Sequence, residues 1–536
     1  MIAGLDLDPA WGITVDIPRM IVVGTSVFDE FLRHVGEALR VPVPDERLAH
    51  AFGQAPLPVE WLGDFQALVD EVRVPLAVRS SSRLEDALGR PFAGVYATKM
   101  IPNNQPDADS RFRRLVEAVK LVYASTFFRA ARSYRRAAGI TDDETMAVLI
   151  QEVIGTRHDE RFYPAVSGVA RSYNFYPSGA ARREDGVVNL ALGLGKTIVD
   201  GGRCWVYAPT RPAAAPPHGS ADELLDQTQH EFWAVNMGRP PAFDPTAEAE
   251  FLVRGTLADA EYDGTLEYVA STYDAASDRF HAGTTRPGAR AVDFAPLLRL
   301  RRFGLNDVLR RVLARCEEAL GAAVEIEFAL AIGRGPEPQA RLGFLQVRPM
   351  VVPEERITIT DAEWTDPSLV VGSDRALGNG VEAGLTDFVY VKPERFDARE
   401  TRRIADELRG LNDGLVAEGR PYVLLGFGRW GSSDPWLGIP VAWGDIAGAR
   451  VIVEATLERL DVEASQGAHF FHNLSSFQVS YLTVHHAAQP GIAWGWLASL
   501  PTVAETEFVH HVRADAPVVV KVDGRTGRGG IWRREA

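Results

Sequence analysis

Cysteine occurs only at Cys204 and Cys316, far apart in a chain of 536 residues. Such a pair supports neither a disulfide framework nor a cysteine-ligated metal centre, and both thiols read as small buried hydrophobes. Long apolar runs are missing as well, and no stretch approaches the roughly 18 residues of a membrane span. The opening segment MIAGLDLDPAWGITVDIPRM has acids where a secretory leader has a basic start, and it contains no lysine. Positive charge is in deficit: 57 Lys and Arg face 72 Asp and Glu, for a net charge of −15. That balance argues against general binding to nucleic acid or to an anionic membrane, while leaving room for a local basic pocket. The expectation is a cytoplasmic enzyme whose partner is a small molecule.

A hydrophobic fraction of 46% and a charged fraction of 24% are those of an ordinary globular chain. The length exceeds what one core usually supports, about 250–300 residues, so two or more domains are expected. Strand and helix patterns alternate, giving an α/β (α+β) class. Ile21 to Thr25 reads as a strand and Val27 to Leu39 as an amphipathic helix; a helix around Trp61 to Val72 and a long one over Arg111 to Ala138 follow. Met146 to Val153 reads as a buried strand with Ala165 to Asn174 as its hairpin partner. Helical character returns over Ala247 to Asp263 and Phe303 to Leu320.

Two stretches carry chemistry. In the first, the β-branched run Val72 to Val78 ends in Arg79-Ser80-Ser81-Ser82, followed by Glu85-Asp86 and the small turn Phe92-Ala93-Gly94. A guanidinium fork with hydroxyl and backbone donors at a strand end suits a polyphosphate, and Gly94 lets a backbone lid approach the same anion. A solvated loop with Arg79 paired to Glu85 or Asp86 has the same composition. In the second, Ala323 to Pro349, AVEIEFALAIGRGPEPQARLGFLQVRP, reads as a β-hairpin. Alternation puts Glu325 and Glu327 on one strand face, and Gln346 and Arg348 on one face of the partner. Carboxylates and an amide oxygen are the hard donors that Mg²⁺ takes, and an adjacent arginine can clamp a phosphoryl group. An edge hairpin with its charged face in water has the same spacing. Val187 to Gly202, VVNLALGLGKTIVDGG, is not a Walker loop, because Leu190 stands where the first glycine belongs.

VRSSSRLEDALGRPFAG resembles, in order and nearly in spacing, the VRSS..ED....FAG hallmark of the nucleotide-binding domain in the phosphoenolpyruvate synthase and pyruvate phosphate dikinase family. IPRMIVVGTSVFDEFL resembles that family's opening strand and helix, and ASTFFRAARSYR its helix with a phosphate-reaching arginine, here Arg129 or Arg135. The 323–349 segment resembles its [DE]-I-E-[WF]…LQ.RP signature. The resemblance implies an ATP-grasp-type domain over 1–355, with lobes of roughly 1–145 and 146–355, that binds ATP and Mg²⁺. Carried over by position, Arg79 and Arg348 hold phosphate and act in catalysis, while Glu327, Gln346 and then Glu325 hold the metal. Ser80, Gly94, Arg129, Gln151, Glu152 and Ser172 inherit nucleotide-side roles; for the last three a strand-end polar cap is the alternative. The family's GGKG-like lysine has no counterpart, and Lys196 stands where an acid is usual, so Lys99 or Lys196 is the candidate compensating cation.

Residues 365–536 are expected to form a smaller α/β domain. The length left after 350 is too short for both a phosphohistidine domain and a (β/α)₈ barrel, which usually takes about 250 residues. GFGRWGSSDPWLGIPV and GAHFFHNL resemble motifs of uncharacterised proteins that share this tail. His469 is the candidate phosphoryl relay or general base, with a buried structural histidine as the alternative. The expected function is ATP- and Mg-dependent phosphoryl transfer to a small acceptor; an ATP-grasp ligase and a nucleotide sensor without turnover are the rivals.

Overall fold

The computed structural model describes the chain apart from residues 1–4, 6, 37–42, 86–94, 138–143, 176, 178–180, 215–219, 243, 245, 336, 351, 353–356, 433, 435, 459, 461–478, 525, 535 and 536. Among the described residues four sheets build the first two-thirds, and two of them position the site. A four-stranded antiparallel sheet runs in the order Met20–Val23, Met146–Glu152, Leu76–Ser82, Thr98–Ile101. The helix Thr25–Val35 covers it with Val27, Phe28 and Phe31, which recur at helical spacing and are fully buried. The long helix expected over 111–138 is two, Ala108–Ser125 and Arg129–Ala137. It breaks where Ser125 Oγ turns back onto the Val122 carbonyl at 2.7 Å, a hydroxyl competing with the helical ladder.

A six-stranded sheet follows in the order Ile13–Asp16, Ala340–Pro349, Val324–Ile332, Val166–Arg171, Val187–Ala191, Trp205–Tyr207, backed by the helix Leu305–Leu320. The 324–349 hairpin forms as its alternation predicts. The hairpin expected between residues 146–153 and 165–174 does not. Met146–Glu152 pairs inside the first sheet, while Val166–Arg171 pairs with Val324–Ile332 and Val187–Ala191 in the second. Between them the chain makes its own ladder, Thr156–His158 against Arg161–Tyr163, and so crosses from one sheet to the other. The helix expected from Ala247 begins only at Leu257, because Leu252–Thr256 is drawn into a ladder with Glu231–Asn236. Tertiary pairing overrides local propensity there.

Among the described residues the tail is built on a nine-stranded sheet whose centre, Gly380–Val391, Tyr422–Phe427, Ala449–Ala455 and Ser480–Val484, is parallel. The helix Thr401–Ala417 packs on it. Among the described residues no helix is long and apolar enough to cross a membrane. At the start of the parallel strands Asp387 is 1% exposed and accepts from Arg420 at 2.6 Å, His511 at 2.8 Å and Arg513 at 2.9 Å. Burial alone would raise its pKa, but these donors outweigh it and hold the carboxyl at about 2. A depressed carboxylate contributes stability that is present above its unfolded pKa, about 3.9, and lost as pH falls towards 2. Asp387→Asn is expected to lower the thermal unfolding midpoint and cost roughly 2 kcal/mol near pH 7. That lies under the 3–5 kcal/mol of a fully buried pair because both arginines are about one-third exposed. Calorimetry of the full chain from pH 3 to pH 7 checks it, with the difference from the parent shrinking at the acid end.

Candidate functional site

The four-stranded sheet that carries Leu76–Ser82 and the six-stranded sheet face each other across a cleft of about 340 Å³. The four-stranded sheet contributes Ala77, Arg79, Thr98, Met100 and Gln151; the six-stranded sheet contributes Ser167, Gly168, Val169, Glu327 and Ala329. The turn Leu194–Asp200 and the side chains of Glu248 and Leu252 close a third side. A fourth wall comes from the tail, through Gly431, Val441, Ala442 and Trp443.

Arg79 spans the gap. Its Nη2 donates to Gln346 Oε1 at 2.6 Å and lies 3.4 Å from Glu327 Oε2. Arg348 Nη1 stands 3.8 Å from Glu327 Oε1 on the other side. Glu327 and Gln346 are direct cross-strand partners, and the β-bulge between Glu327 and Phe328 re-aims the strand at that point. Gly168, across from Phe328, has to be a glycine: a Cβ there would sit 2.1 Å from the Phe328 ring. Arg79 is not paired with Glu85, whose carboxylate instead accepts from Ser80 Oγ at 2.8 Å and Ser82 N–H at 3.0 Å, tying the loop together.

The sequence-named residues divide accordingly. Arg79, Gln151, Glu152, Lys196 and Glu327 line the cleft, with Gln346 and Arg348 at its edge through Arg79 and Glu327. Glu325 does not line it: its buried carboxylate accepts from Arg171 Nε at 2.6 Å inside the sheet. Ser80 serves the Glu85 loop, and Ser172 Oγ accepts from Val324 N–H at 2.8 Å, the strand-end arrangement. Arg129 reaches the tail, 3.3 Å from Asp445 Oδ1. Gly94 and His469 lie outside the described residues. Hard oxygen donors facing the cleft suit a divalent cation, so Glu327 and Gln346 fit Mg²⁺ by chemistry, whereas Glu325 is committed to Arg171.

The two candidate lysines have different fates. Lys196 lines the cleft, 3.0 Å from Asp200 one helical turn on. Lys99 is almost fully buried and turned away: its ammonium donates to the Ala247 carbonyl at 2.7 Å and pairs with Glu250. It fastens the turn from Ala247 to Glu250 to the strand Thr98–Ile101, latching one side of the cleft to the other.

The sequence marks the Tyr422 to Val441 loop, with Arg429, as a possible phosphate or substrate holder in an acceptor-binding or relay domain, but gives no sign that it walls the nucleotide cleft. Arg429 Nη1 donates to the Gly201 carbonyl at 2.9 Å, at the end of the Lys196 turn. Asp445 accepts from both Arg129 and Arg409, the latter at 2.9 Å. Gly444 rides against the Ala130 carbonyl, where a Cβ would approach to 3.1 Å. The segment 429–445 therefore bridges from the Lys196 turn to the helix Arg129–Ala137, passing along the cleft. Tyr96 also lines it. Burial, then the nearby Glu144 carboxylate, push its hydroxyl pKa up against the opposing Arg135, so it stays a neutral hydrogen-bonding group.

The lysine contrast is testable. Lys196→Ala is expected to weaken binding of a non-hydrolysable ATP analogue about tenfold with little change in thermal midpoint, since the surface pair it loses contributes under about 1 kcal/mol. Lys99→Ala is expected to cost about 3–5 kcal/mol of stability by stranding the buried Glu250. Titration calorimetry and thermal unfolding on the same two variants separate these outcomes.

A cleft between two sheets, a guanidinium meeting a carboxylate and an amide across it, and a second arginine alongside are the features that the resemblance anticipates. Residues 12–363 match the family described as pyruvate phosphate dikinase, AMP/ATP-binding domain. The chain belongs to that family over about two-thirds of its length, and its activity is of the ATP-binding phosphotransferase type.

Proposed function

We propose that the protein transfers a phosphoryl group from Mg·ATP to a small-molecule acceptor held between the nucleotide domain and the tail. The observation that carries this reading is Arg79 reaching across the cleft to Gln346 and Glu327. The cleft is polar at that end. At the other it is apolar, where Met100, Val153, Ile154 and Leu252 offer faces for a flat base, and Gln151 and Glu152 stand at a strand end beside them. A nucleotide laid along this gradient puts its base among the apolar side chains and its triphosphate at Arg79.

The chain's own residues then act as follows. Arg79 exchanges its amide and carboxylate partners for phosphate oxygens, a bidentate match that a lysine cannot reproduce. Arg348 and Lys196 add positive charge around the migrating group, where a preorganised cation stabilises developing charge without reorganisation. Glu327 and Gln346, relieved of Arg79, would hold Mg²⁺, which when bound neutralises the triphosphate and orients its oxygens. Gly431, Val441, Ala442 and Trp443 exclude water from the acceptor side. If His469 relays the group, the products are AMP and phosphate; direct transfer gives ADP.

Phosphorus NMR of Mg·ATP incubated with the protein and a metabolite extract tests the proposal. A new phosphorylated product is expected, abolished by EDTA and reduced at least about 100-fold in Glu327→Gln, the scale of losing a preorganised electrostatic group. An amide product with free phosphate would establish the ligase instead, and ATP left unchanged would leave binding without turnover. His469→Ala run alongside separates AMP-forming relay from direct transfer.

A further inference from the structure

Four carboxylates line the cleft: Glu152, Asp200, Glu248 and Glu327. Three face a cation, Glu152 with Arg19 at 3.8 Å, Asp200 with Lys196 at 3.0 Å and Glu327 with Arg79 at 3.4 Å. Glu248 differs. Among the described residues it forms no ion pair, and its Oε1 accepts one backbone hydrogen bond, from Thr98 N–H at 3.2 Å. Thr98 is the direct cross-strand partner of Arg79, which sets Glu248 at the polar end of the cleft.

The loop carrying Glu248 is held at unusual cost. Lys99 and Glu250, with side chains 5% and 3% exposed, bury a charge pair beneath it. Lys99 also takes up the Ala247 carbonyl, and Asp244 ties back to Thr246 N–H at 2.9 Å. Desolvating such a pair returns little net stability, whereas it fixes geometry well. What it fixes is a carboxylate facing the cleft.

We propose that Glu248 is the general base of the transfer and that the acceptor is a neutral hydroxyl compound. The assignment rests on the phosphotransferase reading above. As the acceptor oxygen forms its bond to the γ-phosphorus, its proton passes to Glu248. The bond from the γ-phosphorus to the bridging oxygen breaks, its electron pair leaves with ADP, and the proton is later released to water. A carboxylate facing the cleft without an ion-pair partner among the described residues repels an anionic acceptor, so the site favours an alcohol over a carboxylate, the substrate a ligase would need. Protein massed around the cleft thins the water about Glu248 although the residue presents surface to the opening. This desolvation holds its pKa above the usual carboxylate range, with Lys196 and the Thr98 N–H pulling the other way. The charged groups that act on it are Lys196 and Asp200 from the helical turn and the buried Lys99 beneath the loop, with Asp244 and Glu250 on its own loop. A base tuned upward accepts a proton more readily, and its activity rises with pH as it ionises.

The test follows phosphoryl transfer from Mg·ATP to water and to glycerol by phosphorus NMR in the full chain, comparing the parent with Glu248→Gln and Glu248→Asp. Binding of a non-hydrolysable ATP analogue is measured on the same proteins. The expected result is a 10²–10⁴-fold fall in kcat for Glu248→Gln, nucleotide affinity within about twofold, an intermediate rate for Glu248→Asp, and loss of the acidic limb of the parent's pH profile. Turnover of Glu248→Gln within threefold of the parent overturns the assignment alone. So does a tenfold loss of nucleotide affinity with kcat kept, which would make Glu248 a nucleotide contact. No phosphorylated product from the parent with water, glycerol or the metabolite extract overturns the phosphotransferase reading and this assignment together.

Discussion

A single guanidinium holds the site together. Arg79 stands midway along the strand Leu76–Ser82 in one sheet and finds its partners, Gln346 and Glu327, on two neighbouring strands of another. Neither sheet alone has a reason to keep these groups half-buried, because a desolvated arginine or carboxylate is costly unless something opposite answers it. The bulge at Glu327, the glycine beneath Phe328 and the Glu85-bound serine loop are all local adjustments that bring this meeting about.

The arrangement also explains why partners inside the cleft are provisional while those behind it are permanent. Arg171 and Glu325 lock together at 2.6 Å within the sheet, and Lys99 with Glu250 beneath the loop; both pairs are nearly inaccessible. Arg79, Lys196 and Glu327 keep between 16% and 24% of their side-chain surface open. The first set is scaffold. The second can exchange protein partners for phosphate oxygens at small cost, because water already reaches it.

Much of this was legible in the chain. The 324–349 hairpin announces itself by alternation, and the Arg79 segment by a strand ending in a cation and hydroxyls. What alternation cannot tell is which of two same-face acids reaches a cleft: Glu325 and Glu327 are equivalent in pattern, and only the neighbouring strand, presenting Arg171 opposite one and Val169 opposite the other, divides them. Glu248 carries no local signal at all. It lies in AEAEF, which reads as helix, and its position follows from a lysine about 150 residues earlier that pins the loop. The crossover at residues 153–165 escapes the sequence pattern for a similar reason, since two adjacent strand patterns look like a hairpin until a third ladder takes up the connection.

The apolar interior of the first sheet does not stop at that sheet. It runs without a break from Phe28 and Tyr123 through Trp443 and Ile446 to Tyr422 and Trp430 of the tail. Two regions that share one interior cannot be inherited, swapped or cut apart as separate cassettes without exposing aromatic surface on both. The tail is thus bound to the nucleotide domain through their common interior, and removing either would leave the other with a bare aromatic face.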